Sequence, residues 1–95
     1  IAAMADLPNE QKQLIDCLYF RNLTNKEAGQ VIGRQFINRV HTAALKNMAR
    51  HERLQVYKAD IIERYGRGYG LRKWKETGMS PQERVVLELE KRGLL

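Results

Sequence analysis

The chain holds a single cysteine, Cys17, so no disulfide can form within it. A lone thiol fits a reducing cytoplasm. Cys17 stands beside Leu14 and Leu18 on what reads as one helix face, where a packed thiol is expected rather than a reactive one. Proline is almost as scarce, with Pro8 and Pro81 alone, so little in the chain interrupts a helix. Nowhere do β-branched residues alternate over a useful length, which argues against strands. No apolar run approaches a membrane span, and no basic segment followed by an apolar one opens the chain; neither a membrane partner nor a targeting segment is expected. The opening IAAM reads as a non-native remnant ahead of a start at Met4.

What is present is helix-forming material: many Leu, Ala, Glu, Lys, Arg and Gln in a chain that is 43% hydrophobic and 29% charged, a balance that folds rather than stays disordered. Ninety-five residues support one compact core. The fold class expected is all-α: a three-helix core over residues 7–50, preceded by an arm of residues 1–6 and followed by a helical extension over residues 51–95.

The net charge of +6 is unevenly spread. Residues 1–33 carry −1. Residues 34–58 carry +5, from Arg34, Arg39, Lys46, Arg50, Arg53 and Lys58 against Glu52 alone. Residues 59–79 add +2 and residues 80–95 are neutral. A cationic block of this kind suits a polyanionic partner such as nucleic acid; equally, it can be a solvated face.

Pro8 suits the first turn of a helix over residues 8–21, with Leu14, Ile15, Leu18 and Tyr19 recurring at helical spacing. Thr24 followed by Glu27 is a capping box for a second helix, in which Ala28, Val31 and Ile32 face inward and Gly33 supplies the left-handed stop. Gly29, costing about 1 kcal/mol against alanine in mid-helix, points to a neighbouring helix crossing closely there. A third helix is expected from Arg34 or Gln35, with Ile37, Val40, Ala44, Leu45 and Met48 as its apolar stripe. It continues or restarts through Leu54, Tyr57, Ile61 and Ile62. YGRGYG over residues 65–70 reads as a loop or hinge. Ser80, Pro81 and Glu83 then repeat the helix-start chemistry, for a last helix through Val85, Val86 and Leu89 that stops at Gly93.

Leu7-Pro8, Tyr19-Phe20, Leu23-Thr24 with Glu27 and Gly33, and Val40-His41-Thr42-Ala43-Ala44-Leu45 with Met48 occur in the order and spacing of the fourth conserved region of sigma-70-type bacterial transcription factors, and residues 7–50 resemble that helix-turn-helix. The family places about five residues between the glycine and the first apolar anchor of the recognition helix. This chain has three, Arg34, Gln35 and Phe36. A shorter turn can be absorbed by an early helix start or by rotation of the helix about its axis.

The resemblance implies double-stranded DNA as partner, with the third helix in the major groove. Gln35, Asn38 and Arg39 are then the base-reading candidates, since amides and guanidinium groups make bidentate contacts to base edges. Arg34, Thr42, Lys46 and Arg50 would position the helix on phosphates, with Lys26 and Thr24 on the backbone as well. Arg67, Arg72, Lys73 and Lys75, interleaved with Tyr65, Tyr69 and Trp74, form a further basic–aromatic segment. It suits nucleic-acid contact; equally, Tyr65 and Trp74 can pack the last helix onto the core.

No catalytic site, metal or cofactor is expected: His41 and His51 lie ten residues apart with one cysteine to join them, and GRGYG lacks the spacing and lysine of a phosphate cradle. For His41 a structural or phosphate-facing role is expected. The functional expectation is a small transcription regulator, encoded by a phage or other mobile element, acting as a dimer paired through residues 80–95. A module that binds RNA polymerase or another protein without reading DNA is the alternative, as is a small-terminase-like DNA-packaging adaptor.

Overall fold

The computed structural model describes residues 2–65 and 78–95. Every regular element among them is helical. They fall into two compact units, Ile1–Met48 and Ala49–Leu95.

In the first unit a short 3-10 turn, Ala2–Met4, precedes α1, Asn9–Ile15. Pro8 lies just ahead of α1 with extended backbone, rather than within its first turn as expected. The helix expected to run to residue 21 changes character at Asp16–Phe20, which forms a π-helical turn. Its wider turn, with more residues to each revolution, accounts for the burial: Leu14 and Tyr19, five residues apart, both turn inward, while Leu18 is half-buried. Arg21 N–H closes the turn on the Asp16 carbonyl at 2.9 Å. Asn22 then takes a left-handed φ of 56°, a conformation asparagine tolerates better than most residues.

α2, Asn25–Ile32, opens with the expected capping box. Glu27 N–H donates to Thr24 Oγ1 at 3.2 Å, and Thr24 N–H donates to Glu27 Oε1 at 3.0 Å. Those bonds hold the exposed Glu27 carboxyl below its ordinary value. Gly33 ends the helix at φ 74°, and Arg34 N–H reaches back to the Gly29 carbonyl at 2.8 Å, the bond that defines a Schellman closure. Gly29 is indeed a site of close approach, although what approaches is the turn and not a crossing helix. A Cβ there would sit 2.7 Å from the Arg34 carbonyl oxygen and 3.4 Å from Ile37 Cγ2.

This closure moves the next helix. α3 spans Asn38–Ala49, so Arg34 and Gln35 belong to the turn and not to the helix expected to start at them. Arg34 is used for the bond back to Gly29, and Gln35 and Phe36 carry the chain round to Ile37. Ile37 is buried, and its carbonyl accepts the first α3 bond, from His41 N–H at 2.8 Å. The short connection is thus absorbed by a late helix start. Val31, expected inward, is 49% exposed. α2 buries its Ala28–Gly29 side, and at about 100° per residue Ile32 falls on that side while Val31 falls well off it. The core joins Leu14, Cys17, Ala28, Ile37 and Val40, with Leu18, Leu23 and Ile32 packed against it. Ala44, Leu45 and Met48 complete the expected buried stripe of α3.

In the second unit α4, Arg53–Tyr65, restarts after a break at Arg50–Glu52 and packs against α5, Pro81–Lys91. Ser80 and Glu83 form the expected capping box, with Pro81 in the first turn, and Gly93 follows α5 at φ 73°. Val85, Val86, Leu87 and Leu89 are all buried within the single chain. The YGRGYG hinge, apart from Tyr65, lies outside the described residues.

Two measurements test this packing. Gly29→Ala should lower stability in urea unfolding by about 1–3 kcal/mol, because the obstructing atom is backbone and cannot swing aside, despite alanine's better helix propensity. Gln30→Ala, at an exposed neighbour, should stay within about 0.5 kcal/mol of wild type. In the second unit, burial pushes the Glu83 carboxyl up, but hydrogen bonds from Ser80 and Tyr65 and the Arg64 charge outweigh it and leave its pKa below 4.5. A lowered folded value means that its stabilisation is complete above 4.5 and disappears as pH falls through the lowered value. Glu83→Gln should remove that part of the acid-side loss of stability, measured as midpoint against pH.

Candidate nucleic-acid interface

The exposed face of the first unit is built from the turn and from the side of α3 opposite its apolar stripe. Successive helix positions near 100° apart set Asn38, Arg39, Thr42, Ala43 and Lys46 along that side. These five residues line one shallow hollow of about 350 Å³. A second hollow, of about 450 Å³, is lined by Asn25, Lys26, Gln30, Arg34, Gln35, Phe36, Ile37 and Asn38. Asn38 belongs to both, so the two form one continuous surface. Seven of the expected contact residues therefore come together: Lys26, Arg34, Gln35, Asn38, Arg39, Thr42 and Lys46. Among the described residues, no carboxylate lines either hollow.

Their circumstances differ. Lys26, Gln35, Asn38, Arg39 and Lys46 are exposed, and Thr42 is half-buried beside them. Arg34 is committed within the fold: its Nε donates to Glu10 Oε2 of α1 at 2.7 Å, and that hydrogen bond and charge raise its pKa further. Arg34 thus pins the turn to the first helix. Thr24, expected near the backbone, serves as the α2 cap. Arg50 is exposed but lies beyond α3, in the second unit. Arg67, Arg72, Lys73 and Lys75, with Tyr69 and Trp74, lie outside the described residues. Tyr65 donates from its hydroxyl to Glu83 Oε1 at 3.3 Å, at the end of α4.

α3 is held from behind by two polar contacts. Asn47 Nδ2 donates to Gln11 Oε1 of α1 at 2.9 Å. His41 Nε2 lies 3.0 Å from the hydroxyl of buried Tyr19, the phenol donating in one imidazole tautomer and accepting in the other, with ring centroids 5.8 Å apart. His41 thus has a structural role, tying α3 to the π-helical turn.

Three contributors were not singled out in the sequence: Asn25, Gln30 and Phe36. Gln30 could have been found from its spacing, four residues after Lys26 on α2. Phe36 could not, because an apolar residue next to Ile37 reads as core. It is 78% exposed. Among the described residues, no three His, Cys, Asp or Glu side chains cluster as a metal site would need, and no helix is long and apolar enough to cross a membrane. No protein-family model matches this chain, and no curated protein or solved structure is detectably similar to it.

Because the Tyr19–His41 pair lies behind the exposed face, Tyr19→Phe should cost about 1 kcal/mol in urea unfolding. Ligand affinity at Asn38, Arg39 and Lys46 should be unchanged in the same variant. A large affinity loss with stability intact would instead assign His41 to the binding surface.

Proposed function

We propose that this chain is a small helix-turn-helix DNA-binding protein of the sigma region 4-like type, a regulator of transcription that binds rather than catalyses. α2, the turn and α3 form the reading unit, within a three-helix core begun by α1, and the second unit is its helical extension. One observation carries the reading: the exposed side of α3 and the turn joins cations and amides into one surface with no lining carboxylate among the described residues.

The chemistry divides by position. Arg39, Asn38 and Gln35 carry the groups that make bidentate contacts to guanine or adenine in the major groove, which is wide enough to admit α3. Lys26 and Lys46, flanking them, neutralise phosphates, and Thr42 adds a hydroxyl between. Arg34 contributes less than its charge suggests, because Glu10 already neutralises it. Regulation of transcription, and an origin in a phage or other mobile element, rest on the family resemblance. RNA polymerase as a further partner rests on it too.

Fluorescence anisotropy on a random-sequence duplex across a salt series tests the reading. Lys26 and Lys46, as the phosphate contacts, set an expected log–log slope of roughly −2, each contributing about 0.9. Lys46→Ala should flatten the slope by about 0.9, and Arg34→Ala should flatten it less. Glu10→Gln, which releases Arg34, should steepen it. No binding at low salt, or binding indifferent to Arg39→Ala and Lys46→Ala, would overturn the DNA reading. The same face would then be assigned to a protein partner such as RNA polymerase.

A further inference from the structure

Phe36 is the most exposed large apolar side chain among the described residues, at 78%. Its surroundings make it more than a stray surface residue. It lies in the turn between Gln35 and buried Ile37, and lines the same hollow as Lys26, Gln30, Arg34 and Asn38. The closure over Gly29 fixes this arrangement. Arg34 N–H is bonded back to Gly29, Arg34 is ion-paired to Glu10, and Ile37 is anchored in the core. Ile37 takes the buried position in this turn, and Phe36 beside it stays exposed. An aromatic ring therefore stands in water beside amide and cationic groups.

Resting on the DNA reading above, we propose that Phe36 is a specificity residue that contacts the 5-methyl group of thymine in the major groove. Lys26 in the same hollow, with exposed Arg39 and Lys46 on the adjoining surface, favours a polyanion, which selects nucleic acid over an apolar peptide as the occupant. Within duplex DNA, the major-groove edge offers one apolar feature, the thymine methyl, and an exposed phenyl group is a suitable partner for it. Gln35 and Asn38, on either side of Phe36 along the turn, carry amides that pair with adenine, so the surface as a whole favours A·T-containing sequence. Backbone contacts from Lys26 and Lys46 carry no such preference.

The test compares a short alternating dA/dT duplex with the same duplex in which deoxyuridine replaces every thymidine, removing only the methyl groups. Wild type should bind the thymine duplex about fourfold more tightly, the worth of one buried methyl. Phe36→Ala should bind both duplexes equally, and its exposed position lets the variant fold normally, as its circular dichroism would verify. Lys46→Ala should weaken both by the same factor and keep the discrimination. Equal binding of both duplexes by wild type, or discrimination that persists in Phe36→Ala, overturns the role of Phe36 and leaves the DNA reading standing. No binding to either duplex at low salt overturns the DNA reading itself, and the role of Phe36 with it.

Discussion

The first unit is organised by the closure of α2 over Gly29. The Arg34 amide donates to the Gly29 carbonyl at 2.8 Å, while the Arg34 carbonyl oxygen lies 2.7 Å from where a Cβ on Gly29 would be. The second contact needs a residue without a side chain at position 29, and the first a left-handed residue at position 33. Glycine meets each demand, giving up helix propensity in the first case and no steric energy in the second. Once this loop is drawn tight, the length of the connection is set. Ile37 enters the core beside Ala28, α3 begins at Asn38, and the rotation of α3 about its axis is fixed by the burial of Val40, Ala44, Leu45 and Met48. The composition of the exposed face follows from that rotation.

That face separates groups that hold the fold from groups left exposed. Arg34, the first cation of the basic block, is used internally by Glu10, and His41 and Asn47 face α1 and its π-helical extension. Lys26, Asn38, Arg39 and Lys46 are exposed. An exposed ion pair such as Arg34–Glu10 contributes little to stability, typically well under 1 kcal/mol, because solvent screens it. Its larger effect is on the field: it cancels one positive charge at the edge of the surface and shifts the centre of positive charge toward Arg39 and Lys46.

What could be read in the sequence was the chemistry that a few adjacent residues settle among themselves. The boxes at Thr24–Glu27 and Ser80–Glu83, the left-handed stops at Gly33 and Gly93, and the apolar stripe from Ile37 to Met48 are all local. So was the list of polar residues left over on the other side of that stripe, which is why Asn38, Arg39, Thr42 and Lys46 met on one surface. The start of α3 was not local, because it depends on how closely the chain can pass over Gly29. Val31 was misassigned for a similar reason: periodicity allows several phases for a short helix, and packing selects one. The π-helical turn left no mark, since a single wider turn keeps the same residue types and changes only their rotation. Phe36 shows the other side of this limit. Hydrophobicity alone assigned it no function, and only the geometry that buries Ile37 and excludes its neighbour makes its exposure meaningful.

The two capping boxes show why a motif that is legible still leaves its energetic weight open. Thr24–Glu27 and Ser80–Glu83 have the same spacing and the same reciprocal hydrogen bonds. Glu27 is exposed, so water competes for its carboxylate and the box does little beyond starting α2. Glu83 is buried, and besides Ser80 it accepts from Arg64 at 3.0 Å and from the Tyr65 hydroxyl at 3.3 Å. One carboxylate thus closes the start of α5 and holds the end of α4 against it. Removing a partner from such a group leaves buried charge or polarity uncompensated, a penalty an exposed cap never incurs. The difference lies in what α4 brings to the site: Arg64 and Tyr65, separated from Glu83 by the stretch of chain that joins the two helices. Fold information of this kind belongs to the meeting of distant segments, and it becomes readable only once the helices are in place.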